Sequence, residues 1–330
     1  MDWKGKNVLV TGASGFVGSW LAKSLVEKKA NVIALVRDHV PDSPLIYMGT
    51  YPKLKAVVDG DIINYHSVNR VFNEYDIDTC FHLAAQTIVG AANRSPLPTF
   101  GTNIKGTWNI LEVALKSDTL ERIIIASTDK AYGEPLKLPI TEDHRLLATY
   151  PYDASKACVE ILTHTYFKTY GLPVGITRCC NIYGGGDLNF SRIVPDTIRS
   201  IIFNKNPIIR SDGTPVRDFI YITDVVDAYI KLVENLDKKN VKGEAFNFGS
   251  NSPIKILDLV DKMIKISGKD LKPVIKGKGK LKGEISVQYL SIEKAKKILK
   301  WKPKIPLETG LKKTIKWYKD FFAKTPKGSF

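Results

Sequence analysis

The chain has 330 residues and carries 49 Lys and Arg against 34 Asp and Glu, a formal charge of +15, with 44% hydrophobic and 25% charged residues. That length and balance suit one large α/β domain or two modest ones and exclude a peptide-sized module or a disordered tract. The lysines are spread along the chain without interleaved aromatic platforms, which argues against a nucleic-acid partner. No apolar run reaches the roughly 20 residues of a membrane helix, and no signal or transit pattern opens the chain, so no membrane partner and a cytoplasmic location are expected.

The first run, "NVLVTG" (7–12), reads as a buried strand, and "TGASGFVG" then brings Gly12, Gly15 and Gly18 to the start of an amphipathic helix. Small residues there let the backbone approach a pyrophosphate, which the free N–H groups of the helix start stabilise. Gly12, Ser14, Gly15, Phe16, Val17 and Gly18 are therefore the expected dinucleotide cradle. A second strand, "NVIALVR" (31–37), ends in Arg37 and Asp38. An arginine at this position accommodates a 2′-phosphate and an acid bonds ribose hydroxyls, so the cofactor is NADP or NAD, with NADP favoured through Arg37. Next come "LKAVVDGDI" (54–62), where Asp61 and Ile62 either border the adenine or make a strand-end turn, and "TCFHLAA" (79–85), which sets Leu83, Ala84 and Ala85 near the cofactor. His82 in that strand reads as a core histidine.

Further strands are expected at 122–127 and 173–184, and helices at about 64–74, 99–117 and 152–170. This alternation predicts an α/β fold: a Rossmann-type doubly wound parallel sheet with a smaller C-terminal α+β substrate lobe. The expected division is 1–184 and 185–330, with return segments near 218–250. Cys80, Cys158, Cys179 and Cys180 show no zinc or redox spacing and read as inert thiols, and no metal site is expected.

The chemistry concentrates in two stretches. "ASTDKAYG" ends a hydrophobic strand with a hydroxyl, a carboxylate and an ammonium on Thr128, Asp129 and Lys130. "YDASKACVE" holds Tyr152 and Lys156 four apart, on one face of a helix, and an ammonium beside a phenol favours the phenolate. Tyr51 and Lys55 repeat that spacing but lie in a Pro-flanked loop. Position separates them: Tyr152 follows the Thr128 strand end, so Thr128 and Tyr152 can share a substrate oxygen.

With "FHLAAQ", "TNIKGTWNILE", "TRCCNIYGGGD", "RDFIYITDVVDAY" and "LETGLKKTIKWY" added, nearly the whole chain resembles the extended branch of the short-chain dehydrogenases/reductases. Within it the chain is similar to nucleotide-sugar 4,6-dehydratases, the CDP-glucose type above all. The resemblance implies a homodimer and a catalytic set of Thr128, Tyr152 and Lys156, with Asp129 as acid at C6 and Lys130 as base at C5. An ion pair between Asp129 and Lys130 is the plainer reading of those two. It also implies substrate contacts from Gln86, Thr87, Asn103, Asn181, Arg192, Arg217 and Gln288. Asn103 could instead cap a helix, and Arg217 could pair with Asp218. The substrate expected first is CDP-glucose, then GDP-mannose or a UDP-sugar; Glu284 and Gln288, where dTDP-sugar members carry an arginine, weigh against dTDP-glucose. A 4-epimerase is the alternative of the same fold, and a dinucleotide-binding redox sensor the alternative of another class.

Overall fold

A computed structural model describes residues 1–135, 137–277 and 285–324; Glu284 lies outside these. The N-terminal half supplies β1 (Asn7–Thr11), β2 (Asn31–Val36), β3 (Ala56–Asp59), β4 (Thr79–His82), β5 (Arg122–Thr128) and β6 (Val174–Cys179). Between them run α1 (Phe16–Glu27), α2 (Pro44–Tyr47), α3 (Tyr65–Glu74), α4 (Val89–Arg94), α5 (Pro96–Phe100), α6 (Gly106–Lys116) and α7 (Pro151–Tyr170). Then follow β7 (Asn181–Tyr183), α8 (Ile193–Ile202), β8 (Ile208–Ile209), β9 (Val216–Arg217), β10 (Phe219–Tyr221), α9 (Ile222–Glu234) and β11 (Ala245–Phe248). The last elements are β12 (Ile254–Lys255), α10 (Ile256–Ser267), β13 (Val274–Ile275), β14 (Val287–Gln288) and α11 (Leu307–Lys324).

The central sheet is parallel throughout and has seven strands in the order β11-β6-β5-β4-β1-β2-β3. Its strands alternate between two apolar layers, as a period of two demands when both faces are covered. Leu9, Ile33, Cys80, Ile123 and Ile125 face Val71 and Phe72 of α3 and Ile110 and Leu111 of α6. Val8, Val10, Val32, Phe81 and Ile124 meet Leu21 and Leu25 of α1 and Tyr229 and Leu232 of α9. A third cluster, with Tyr183, Ile198, Met263, Leu311 and Tyr318, is the core of the C-terminal half.

Chain order reverses between β1 and β4, which opens a crevice at the carboxyl ends of those strands. The β1 and β4 loops meet there so closely that a Cβ on Gly12, whose φ is +70°, would lie 2.8 Å from the backbone nitrogen of Ala84.

Two elements differ from their expected form. Residues 173–184 are not one strand: after Cys179 the chain leaves the central sheet, and β7 pairs with β10 instead. The cause is long-range, because the backbone of Asn181 donates to the carbonyl of Asp218, 3.2 Å away. The helix expected at 99–117 starts earlier, at Pro96, and widens into a π-turn at Gly101–Lys105 before α6, a local distortion frequent at functional sites. Among the described residues no helix is long and apolar enough to cross a membrane.

Candidate active site at the strand carboxyl ends

Gly12, Ser14 and Gly15 form the turn between β1 and α1, and Gly15 stands at the helix N-cap with no side chain to occupy the free N–H groups. A Cβ on Gly18 would come 2.1 Å from the carbonyl oxygen of Gly12, so only glycine lets the helix start sit against the loop. Phe16 and Val17 begin the helix and pack into the core below. This strand–turn–helix could hold a dinucleotide pyrophosphate. At the far end Arg37 is exposed and bonded to Asp38, with nitrogen–oxygen distances of 2.8 and 2.6 Å. That bond and the fields of Asp38 and Asp61 hold the guanidinium's pKa above its ordinary value. Asp61 itself accepts the N–H of Ile63 at 3.0 Å, a turn closed by its own side chain, and the carbonyl of Ile62 receives the Asn109 amide at 2.9 Å.

Beyond β4, Leu83, Ala84, Ala85, Gln86 and Thr87 form a half-buried loop anchored at two points. Thr11 Oγ1 accepts the N–H groups of Leu83 and Ala84, each at 3.1 Å. Asn103, on the π-turn, accepts from the N–H of Gln86 at 2.7 Å, donates to its carbonyl at 3.1 Å and donates to Ser155 of α7 at 2.8 Å. Asn103 is thus a brace between the loop and α7 rather than a helix cap. His82 is a satisfied core histidine: it lies 2.8 Å from Thr11 Oγ1 and 3.0 Å from Thr107 Oγ1. Because Thr11 already accepts two amides, its hydroxyl donates to Nδ1, and Nε2–H donates to Thr107. Burial, with the field of Lys156, lowers the imidazole's pKa to about 3 and keeps the ring neutral.

The strand-end set is held by a single 3₁₀ turn, Asp129–Tyr132, that follows β5. Thr128 Oγ1 caps it, accepting the N–H of Lys130 at 3.4 Å and donating to Asp129 Oδ1 at 3.1 Å. Asp129 is 2% exposed, and its Oδ2 is buried without a hydrogen-bond partner. Burial raises its pKa, against the opposing pull of Lys130, the Thr128 hydroxyl and Arg217. No ion pair forms between Asp129 and Lys130, and among the described residues the Lys130 ammonium has no carboxylate within 4.0 Å. The ion-pair reading of the two therefore does not hold.

Tyr152 occupies the first turn of α7, which packs against that 3₁₀ turn. Here the expected electrostatics are reversed. Burial dominates and lifts the phenol's pKa to about 12; Arg192 is the leading opposing charge, Asp153 and Asp129 raise it further, and Thr128 beside it lowers it. Lys156, one turn on, donates to the carbonyl of Ala126 at 2.7 Å. Its pKa is lowered to about 8 by burial, partly offset by Glu160. Helical spacing places the ammonium on the phenol's face, but the strand carbonyl claims it.

The C-terminal half closes the site. Arg217 is buried in β9 and donates to the carbonyl of Val216 at 2.9 Å. Asp218 turns away from it and accepts the N–H groups of Ser250 and Asn251 at 3.0 and 3.2 Å, so the pairing of Arg217 with Asp218 is replaced by this cap. Arg192 is half-exposed and paired with buried Asp187 at 3.0 Å. Asn181 donates to the carbonyl of Asp218 at 3.1 Å. Gln288 lies under the 3₁₀ turn and donates to the carbonyl of Asp129 at 3.0 Å, while its own Oε1 is buried without a partner.

Two features were not anticipated. Asp153, directly after Tyr152, is 9% exposed, with a buried and unpartnered Oδ1. Burial lifts its pKa to about 6, against the field of Lys130 and with that of Asp129. In the sequence it is only a spacer between Tyr152 and Lys156. Behind the site, Arg178 of β6 forks onto Glu160 of α7 at 2.6 Å, with both side chains under a tenth exposed. The same carboxylate takes the Ser127 hydroxyl, and Arg178 reaches Tyr132 at 2.7 Å. This buried pair locks the floor under the strand end.

A family model described as "GDP-mannose 4,6 dehydratase" matches residues 9–314. The chain is 31% identical over 336 residues to the dTDP-D-glucose 4,6-dehydratase of Bos taurus, covering 96% of this chain and 90% of the relative. Its structure is similar to a UDP-glucose 4-epimerase from Thermotoga maritima solved with UDP-glucose, with a TM-score of 0.87, 29% identity and coverage of 96% and 99%. It is also similar to a dTDP-glucose 4,6-dehydratase from Bacillus anthracis in complex with NAD, with a TM-score of 0.82, 28% identity and coverage of 96% and 97%.

Proposed function

Because the chain belongs to the nucleotide-sugar 4,6-dehydratase and 4-epimerase family, an NAD-dependent enzyme family of the extended short-chain dehydrogenase/reductase type, we propose that it is a 4,6-dehydratase. It would convert a nucleoside-diphosphate hexose to the 4-keto-6-deoxy sugar and water. The observation that carries this reading is Asp129: a buried carboxyl with raised pKa and a free Oδ2, one residue from the Thr128 hydroxyl and opposite Tyr152. A 4-epimerase needs no acid at C6, whereas a dehydratase cannot expel hydroxide without one.

The Gly12–Gly18 cradle would hold NAD(P), which would supply the redox chemistry, hydride acceptance from C4 and hydride return to C6. Tyr152 takes the proton of the C4 hydroxyl while Thr128 holds the same oxygen. Lys130 takes the C5 proton, which the adjacent ketone has acidified, Asp129 gives its proton to the departing C6 hydroxyl, and Lys130 returns its proton to C5 as hydride arrives at C6. Lys130 suits the base role because it lies beside Asp129 with no ion pair among the described residues. Arg217 and Arg192 would hold diphosphate oxygens, for which forked donors are suited; Gln86, Thr87, Asn181 and the free Oε1 of Gln288 would border the nucleotide sugar. CDP-glucose stands first among substrates, with GDP-mannose and UDP-sugars next.

For the cofactor we infer NAD. Arg37, a group suited to a 2′-phosphate, is already paired with Asp38 and lies in the field of Asp61, and a phosphate dianion there would meet two carboxylates. Mass analysis of the dinucleotide released on denaturation checks this, and NADP would reverse it. The same reading includes a homodimer joined through α6 and α7, on which Trp108 and Ile161 are exposed.

The deciding experiment incubates purified enzyme with CDP-, GDP-, UDP- and dTDP-hexoses, catalytic dinucleotide and no net reductant. Loss of 18 mass units from one sugar nucleotide, by loss of water, supports dehydration and identifies the substrate. An isomer of unchanged mass would move the assignment to 4-epimerase.

A further inference from the structure

If the chain is a dehydratase, as proposed above, each turnover leaves two groups in the wrong protonation state. Tyr152 has gained the proton of the C4 hydroxyl, and Asp129 has lost one to the departing water. Both lie deep in the site, at 9% and 2% exposure, which restricts their exchange with bulk water.

Thr128 connects them. Its hydroxyl donates to Asp129 Oδ1 at 3.1 Å, the direction required when Asp129 is a carboxylate and Tyr152 a phenol. One acceptor position of Oγ1 takes the Lys130 N–H at 3.4 Å, and a hydroxyl oxygen has a second. Tyr152 sits in the first turn of α7, which packs against the turn that Thr128 caps, near enough for the Thr128 hydroxyl to lower the phenol's pKa. Asp129 Oδ2 stays free for the substrate.

We propose that the Thr128 hydroxyl conducts one proton between Tyr152 and Asp129, so that a single shared proton arms the base and the acid together. In the step, the Tyr152 O–H bond breaks as its proton moves to Thr128 Oγ1, and the original Thr128 proton moves to Asp129 Oδ1. Phenol and carboxylate become phenolate and carboxylic acid, Thr128 remains a hydroxyl, and the pair's net charge is unchanged. Catalysis then returns the pair to phenol and carboxylate, because one proton comes in from the C4 hydroxyl and one goes out with water. The cycle therefore draws no proton from solvent.

The test compares wild type, Thr128→Ser and Thr128→Val on whichever nucleotide sugar loses water. Thr128→Val keeps the shape and removes the conduit; its turnover should fall by about 100-fold or more. That residual rate should climb with the concentration of a small buffer acid such as imidazole, at fixed pH and ionic strength. Thr128→Ser should stay within a few fold of wild type and ignore the buffer. A Thr128→Val enzyme that is slow but indifferent to buffer, or not slowed, would overturn the relay alone, leaving Thr128 as a holder of the C4 oxygen. Should Thr128→Val not fold, wild-type turnover in mixed H₂O and D₂O decides: a curved dependence marks two protons moving together, and a straight line overturns the relay. A wild type that removes water from none of the sugars overturns the dehydratase reading and the relay with it.

Discussion

Tyr152 and Lys156 stand one helical turn apart, but their charged ends answer to different neighbours. Lys156 is held by the Ala126 carbonyl, while Arg192 supplies the leading charge that favours the phenolate. Two substitutions separate the chemical roles. Tyr152→Phe should abolish C4 oxidation, whereas Lys130→Met should still reduce bound cofactor and yet stop loss of water; single-turnover absorbance at 340 nm with product mass analysis reads both. If Lys130→Met dehydrated at the normal rate, the C5 base would have to lie elsewhere. Asp153 carries a prediction of stability. Its folded pKa of about 6 exceeds an unfolded value of about 3.9, so between those pH values the folded chain binds more protons and loses stability as pH rises. Asp153→Asn removes that loss and should stabilise the protein by about 2 kcal/mol at pH 8 and by much less at pH 4.5, measured by urea unfolding. Equal gains at both pH values would contradict the assignment.

At the scale of elements, the site is a meeting of strand ends with helix starts. The β1 loop and α1 touch so closely that a Cβ at Gly18 would overlap the carbonyl oxygen of Gly12 at 2.1 Å. Gly18→Ala must push the helix start away, at a cost of about 1–3 kcal/mol typical of overpacking, and spread the N–H groups proposed to receive the pyrophosphate. The expected result is a protein with lowered Tm that purifies without dinucleotide; retention of a full complement would show that the cradle tolerates the shift. The 3₁₀ turn after β5 rests on Gln288 of β14 and is backed by the buried Arg178–Glu160 pair joining β6 to α7. These elements place the proposed acid Asp129 and the proposed base Lys130 on consecutive residues of one turn, which a lone flexible loop would hold less firmly.

For the whole molecule, protonation of the buried neutral His82 contributes to loss of stability in acid. His82 bridges β1 and α6 as a neutral ring, with a folded pKa of about 3 against an ordinary value near 6.5. Between these values the unfolded chain binds more protons, so stability falls as pH drops below about 6.5. Wild type should therefore exceed His82→Gln in stability at pH 8 by more than it does at pH 4.5, and parallel pH profiles would rule this out. Asp153 works in the opposite direction over part of the same range, so the stability gap between the two variants should be widest at pH 8 and narrow on acidification.

What the sequence determined alone was whatever local periodicity encodes: the strands that alternate with helices, the glycine spacing after β1, the turn residues after β5 and the shared face of Tyr152 and Lys156. These depend on neighbours within a few residues, and the backbone obeys them wherever the chain ends up. The tertiary structure alone decided which charges matter. Gln288 supports Asp129 across 159 residues of chain, Arg192 reaches the field of Tyr152 from the start of α8, and Asp153 becomes a buried acid rather than a spacer. Burial and long-range proximity set proton affinities, and neither is a property of a short stretch of sequence.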